Sequence, residues 1–324
     1  MASRTTGIRH AYCTADHAAS ERDCHSRQVD PGRGIPVRPA RRQGEAHFRL
    51  PSNSPLWLLD RGHRYLFKEP QGTKAQQVWS EVIAYELGKF AGVEVPPAFL
   101  ALGPGNGSPG VLVEYFYGHA FDPERRLIHG IERLQARGFQ TDQRRGSLSD
   151  NVDVCRSHRV PHAGAWWAQT LAFDALIGNT DRHSENWGFL VERGPDGRPI
   201  HSMAPAFDNG TSLGFIIGEE QLRQYAAPDR LAAFISAGHH HFGWTSGDKP
   251  SGQHIALCGR FAQEFPASRP LMRATLQVAD SDIDDLLNRC VDFPFPIPFT
   301  RDRAAFVAAQ IKARRDAVLV AIGA

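Results

Sequence analysis

Residues 178–189 read Gly-Asn-Thr-Asp-Arg-His-Ser-Glu-Asn-Trp-Gly-Phe, and Phe207-Asp208-Asn209-Gly210 follows downstream. Four residues separate Asp181 from Asn186, and Asp208 comes in a short turn after two segments of strand character. An acid, an amide at that interval and a second acid beyond a strand pair are the parts of a phosphoryl-transfer site. In that chemistry the first acid lies near the attacking hydroxyl, while the amide and the last acid hold Mg²⁺ on the nucleotide phosphates. Asp and Asn are also ordinary turn residues, so the spacing alone is weak. The surroundings strengthen it. Residues 163–177 read as a buried helix ending at Gly178, and residues 187–192 and 199–203 read as strands joined by Gly194-Pro195-Asp196-Gly197.

The motif contains two candidate bases. Asp181 is favoured as the group that orients or deprotonates the hydroxyl, with His183 as its rival or as a structural histidine that holds the loop. Arg182 is expected to orient the loop by pairing with a carboxylate or with backbone carbonyls. Asn186 and Asp208 are the expected metal ligands.

Working outward, Lys68 ends the strand-like run Arg64-Tyr65-Leu66-Phe67-Lys68 in a chain whose cations are almost all arginine. An ammonium on an apolar strand must meet an anion or reach water. Nucleotide phosphates and Glu81 of the next helix would supply the anion; Glu86, nearer the helix end, reads as a solvated residue. Glu114, Tyr115 and Phe116 close the last strand of this region, where a hinge offers backbone groups to adenine, so Glu114 and Phe116 are nucleotide-binding candidates. Asn53 and Ser54, within Pro51-Ser52-Asn53-Ser54-Pro55, could donate backbone and hydroxyl groups to phosphate. That stretch lacks glycine, and a simple turn fits it equally well.

The remaining chain sorts by pattern. Residues 1–46 mix Arg, His, Ser, Gly and Pro without periodicity and are expected to form a disordered tail. His10, Cys13, His17, Cys24 and His25 in this tail match no standard metal spacing. Residues 47–117 read as strand pair (56–59 and 64–68), helix (75–91) and strand pair (98–102 and 110–116), the order of a kinase-type small lobe. Residues 118–324 read as the larger lobe. Residues 124–136 suit an amphipathic helix, and 137–160 a polar, arginine-rich loop or partly ordered insert. Helices are expected near 219–237, 253–264, 268–278, 281–289 and 301–322. Gly238-His239-His240-His241 with Trp244 reads as a packing loop, since three adjacent histidines cannot all face one ion from regular structure.

Composition narrows the class without naming it. Of 324 residues, 41% are hydrophobic and 22% charged, which suits a soluble globular chain able to build two cores. The net charge of +2 gives no nucleic-acid footprint. Five scattered cysteines with no C-x-x-C pair argue against a disulfide framework and against a zinc site built on them. There is no span-length apolar run and no signal segment, so a cytoplasmic protein is expected.

With these residues assembled, Gly178–Trp187 and Phe207-Asp208 resemble the catalytic core of HipA-like bacterial serine/threonine kinases. They also resemble the phosphatidylinositol 3/4-kinase superfamily, whose loop likewise reads D-R-H-x-x-N. The resemblance spans residues 48–320 and is strongest over 165–215. It implies an α+β, bilobal protein-kinase-like fold with a small β-rich lobe and a larger, mainly helical one. It also implies Mg²⁺-dependent transfer of the ATP γ-phosphoryl group, most naturally to Ser or Thr of a protein acceptor, and an antitoxin-type partner. A lipid or small-molecule acceptor and a nucleotide-binding pseudokinase are the alternatives. Full-length HipA toxins carry a further N-terminal subdomain for which the tail here is too short. The 51–55 stretch does not reproduce their serine-containing phosphate loop.

Overall fold

The computed structural model describes the backbone at 56–58 and residues 63–103, 107–119, 124–139, 146–248 and 252–323. The tail at 1–46 and the stretch holding Asn53 and Ser54 lie outside the described residues. The first sheet is antiparallel, in the order β1 (Leu56–Leu58), β2 (Arg64–Lys68), β4 (Pro109–Glu114), β3 (Ala98–Leu102), with helix α1 (Gln77–Ala91) between β2 and β3 in sequence. Strand alternation decides the orientation of Lys68. Phe67 turns to one face and packs with Leu112 and Ala101, so its neighbour Lys68 turns to the face that meets α1. Helix α1 buries Val78, Trp79, Val82, Ile83 and Leu87, a stripe at helical spacing, and ends at Gly92 in the left-handed conformation (φ 65°).

The second sheet is antiparallel, in the order β5 (Arg126–His129), β6 (Gly188–Arg193), β7 (Pro199–Met203). Here a sequence expectation fails. Residues 126–129 are strand, and only Gly130–Gln135 (α2) are helical. Pairing of Leu127 with Leu190 and His129 with Gly188 across a long sequence separation overrides the local helical spacing. The stretch expected as a polar loop or partly ordered insert contains α3 (Leu148–Ser157), started by Ser147, whose Oγ accepts the Asp150 N–H at 3.2 Å. Leu148, Val152 and Cys155 supply its buried stripe.

Helix α4 (Ala163–Ile177) is buried along nearly its whole length, including Trp167, Leu171, Phe173 and Leu176. Around it gather the short α5 (Leu222–Tyr225), α6 (Pro228–Ser236), α7 (His254–Glu264), α8 (Arg269–Leu276), α9 (Asp280–Val291) and α10 (Arg301–Ala321); α7, α8 and α10 touch α4 directly. The helix expected over 219–237 is broken, because Pro228 can begin α6 but cannot continue α5. One apolar cluster runs from α1 through α4 to α10. Trp79 of α1 sits among Phe293, Phe295 and Phe299 and donates its indole N–H to Ile297 O at 2.8 Å. The small-lobe helix is thereby pinned to the helical lobe. Cys155, Cys258 and Cys290 are buried free thiols; burial pushes Cys155 up to about 11 and Cys290 to about 12. No described helix is long and apolar enough to cross a membrane.

Candidate active site

The loop carrying Asp181 and Asn186 starts where α4 ends. Gly178 takes φ 66°, a conformation that strains any residue with a side chain, and a Cβ there would lie 2.9 Å from the Arg314 guanidinium, which would have to shift. Beyond it, Arg182 is wholly buried and holds the site together. Its Nε and Nη2 donate to the two carboxylate oxygens of Asp174 at 3.0 and 2.7 Å, and Nη2 also donates to Asn209 Oδ1 at 2.7 Å. Its Nη1 donates to Asn186 O at 3.1 Å and to Phe207 O. One guanidinium therefore joins α4, the Asp181 loop and the Asp208 turn in a fork geometry that lysine could not reproduce.

Asp208 itself has φ 60°, an uncommon conformation for a residue with a side chain, and one that aspartate tolerates better than most. Its Oδ1 accepts from Lys68 Nζ at 2.6 Å, and Glu81 Oε1 accepts from the same ammonium at 2.6 Å. Glu81 Oε2 accepts the Asn209 N–H at 3.2 Å, tying α1 to the Asp208 turn. Burial alone would pull the Lys68 ammonium down, but Asp208 and Glu81 more than reverse this and leave it above its ordinary value. Burial works against ionisation of Asp208 too; Lys68 outweighs it and holds the carboxyl below the usual range. Glu86 is elsewhere, paired with Lys89 at 2.7 Å.

Asp181 is half-exposed. Its N–H donates to Asn179 Oδ1 at 3.0 Å, and the Asn186 amide donates to its carbonyl at 2.7 Å. His183 lies with Nε2 3.9 Å from Asp181 Oδ1, while its Nδ1 accepts the Glu185 N–H at 3.2 Å. The neutral ring therefore carries its proton on Nε2, towards Asp181. Burial depresses the His183 imidazole below its ordinary value, more than Asp181 and Glu185 restore. His241 Nδ1 lies 2.9 Å from Thr180 O and 3.3 Å from Asp181 Oδ1; two acceptors on one nitrogen place the proton there.

At the end of β4, Glu114 gives its N–H to Pro97 O at 2.8 Å. Phe116 packs on Phe207, with ring centroids 5.3 Å apart, beside the Asp208 turn. The site thus gathers Lys68, Glu81, Asp181, His183, Asn186 and Asp208 from both lobes. Four residues were missed in the sequence: Asp174, Asn179, Asn209 and His241. Asp174 had a signal, an acid inside an otherwise apolar helix. His241 has one too, in a histidine run that the sequence assigns to packing. That reading holds for His240, which is buried and stacked on Phe242; His241 faces Asp181.

Comparison with known proteins bears on the fold and the family. The fold matches a solved structure described as a Helicobacter pylori proinflammatory kinase, CtkA. The TM-score is 0.64 and the identity 17%, covering 83% of this chain and 94% of that one. It also matches HipA of Shewanella oneidensis MR-1, solved as a toxin–antitoxin complex with HipB and operator DNA. Here the TM-score is 0.52 and the identity 16%, covering 91% of this chain and 75% of that one. At these identities the likeness establishes the fold: α+β and kinase-like, with a small sheet-bearing part and a larger helical one. A search of curated protein sequences found no match. The model of the HipA-like C-terminal domain matches residues 50–258, which is more than half the chain and includes every described residue of the site. The chain belongs to the HipA-like C-terminal domain family.

Proposed function

We propose that this chain is an ATP-dependent kinase that moves the γ-phosphoryl group to a Ser or Thr hydroxyl of a protein. The observation that carries this reading is the Lys68 ammonium, which bridges Glu81 of α1 and Asp208 of the large lobe at 2.6 Å each. A strand lysine paired with a helix glutamate and set against a turn aspartate is the arrangement that positions nucleotide phosphates. Lys68 binds them as a point charge, and Glu81 keeps the ammonium in place when Asp208 turns to metal.

The donor set suits Mg²⁺. The Asn186 amide nitrogen is committed to Asp181 O, which leaves Oδ1 as its ligand atom, and Asp208 keeps Oδ2 when Oδ1 meets Lys68. An amide oxygen and a carboxylate are hard ligands of the kind Mg²⁺ takes alongside phosphate oxygens. Bound there, Mg²⁺ neutralises charge on the transferring phosphates. Asp181 orients the acceptor hydroxyl and takes its proton. His183 is a poor base in this setting, since its only lone pair already accepts the Glu185 N–H. The Phe116 segment is left to contact adenine. By analogy with the HipA–HipB complex, an antitoxin-type protein is the expected partner.

The test is incubation of the purified chain with γ-labelled ATP and Mg²⁺, with a protein extract in one arm and phosphoinositide vesicles in the other. Label on Ser or Thr, identified by mass spectrometry, is the expected result. Asp208→Ala should lower transfer by about 10³-fold, and full activity in that variant would overturn the assignment. Label confined to lipid would move the acceptor class. Nucleotide binding without turnover would make the chain a binding module.

A further inference from the structure

The small-lobe sheet carries a second group of metal-ligating side chains that phosphoryl transfer does not use. His63 precedes β2, Glu114 ends β4, and His119 lies where the chain crosses to the large lobe. Each offers one ligand atom, and these atoms lie within 4.8 Å of one another. His63 Nδ1 is 2.6 Å from Glu114 Oε1, and the two imidazole rings have centroids 5.2 Å apart. We propose that His63, Glu114 and His119 bind a divalent transition ion of the Zn²⁺ type, which ties the lobe-connecting segment to the sheet.

The donor chemistry chooses the ion. Two imidazoles and one carboxylate form a three-ligand set that leaves a fourth position to water, a composition suited to Zn²⁺ and poor for Mg²⁺. A tetrahedral ion about 2.0–2.1 Å from each ligand holds its donors about 3.4 Å apart, so His63 and Glu114 open slightly from 2.6 Å and His119, within 4.8 Å, closes on them to complete the site. Access and support are both present. His63 is 40% exposed and Glu114 18% along their side chains, which gives an entry path, while His119 is buried. Tyr65 Oη donates to Glu114 Oε2 at 3.3 Å, fixing the carboxylate from behind. The Arg64 guanidinium donates to Gly118 O at 2.8 Å and holds the backbone next to His119.

Position gives the ion its consequence. The residues between Glu114 and His119 include Phe116 and Tyr117, which pack on Leu127, Leu190 and Phe207 of the large lobe. A bridge from His63 to both ends of this crossing stiffens the connection next to the Asp208 turn. The competing explanation is a plain His63–Glu114 ion pair beside a second histidine, which needs no ion, and metal binding separates the two.

The experiment takes the full chain, stripped with chelator and titrated with Zn²⁺ against a chromophoric indicator, beside His63→Ala, His119→Ala and Glu114→Gln. The tail histidines and cysteines are shared by all four proteins, so the difference in uptake is the readout. Both alanine variants should take up one equivalent less than the parent, and Glu114→Gln, which keeps size and hydrogen bonding, should bind at least tenfold more weakly. Zn²⁺ at a hundredfold over its Kd should raise the melting temperature of the parent by about 5 °C. Mg²⁺ at the same concentration should not, and the alanine variants should lack the rise. Equal uptake and an equal thermal shift in parent and variants would overturn the site. Because binding is read without phosphotransfer, this result stands or falls separately from the proposed kinase activity.

Discussion

Lys68 illustrates how a single charge on an apolar strand constrains its surroundings. The register that sends Phe67 into the sheet's outer cluster sends Lys68 towards α1, where desolvation would be costly without an anion. Two carboxylates meet it, and they come from different lobes. The requirement for a partner was legible from the residue's setting. The contact with Asp208 was not, because 140 positions separate the two. The same scale separates Asp181 from His183. Asp181→Asn should lower kcat by about 10³-fold. His183→Gln, whose amide oxygen can still accept the Glu185 N–H, should cost less than tenfold. Steady-state kinetics of the two variants decide the matter, and an equal loss would restore His183 as the base.

Among elements, periodic helices were readable and partner-dependent ones were not. Helix α4 and the last helix, α10, fall within a residue or two of the segments expected from spacing, because buried stripes and the flanking Gly178 mark them locally. Strand β5 exists because β6 lies beside it, and only three-dimensional pairing reveals that. Helix α3 was hidden by its polar composition, although Ser147 and a stripe of Leu148, Val152 and Cys155 were available to find it. Ser147 is buried and caps the first turn, so Ser147→Ala should reduce stability by about 1 kcal/mol, measured as a lowered urea midpoint. An unchanged midpoint would mean that packing alone starts α3.

At the scale of the molecule, a buried polar cluster lies beneath the site. Asp174, Asn179, Arg182, Asn209, His240 and His254 are all buried. The His254 Nε2 donates to Asn179 O at 2.7 Å, and the His240 ring lies 4.3 Å from that of His254. Burial holds the His240 imidazole down at about 3, with Arg182 adding to it, and His254 is depressed in the same direction. As pH falls through about 6.5, these histidines take a proton in the unfolded chain but not in the folded one. The unfolded state then binds more protons, so stability declines towards pH 3 by up to about 1.4 kcal/mol per pH unit for each histidine. Urea titrations between pH 7 and pH 4 should show this slope. His240→Phe, placed on the face of Phe242, should remove one histidine's share of it while changing stability little at pH 7. A slope unchanged in that variant would show that His240 already protonates within the fold.

The sequence by itself determined the kind of fold and marked out the candidate residues of the site. Asp181, Asn186 and Asp208 are close enough along the chain for their spacing to carry meaning, and Lys68 stands out by residue type within its strand. Those signals are local, and local periodicity and turn chemistry transmit them. The tertiary structure decided everything that depends on two distant segments meeting. It brought Asp208 to Lys68, set the His183 proton on Nε2, and brought His241 to Asp181. It also placed His63 beside His119. Burial, desolvation and cross-strand pairing act between residues far apart in sequence, so only the folded chain could assign these partners.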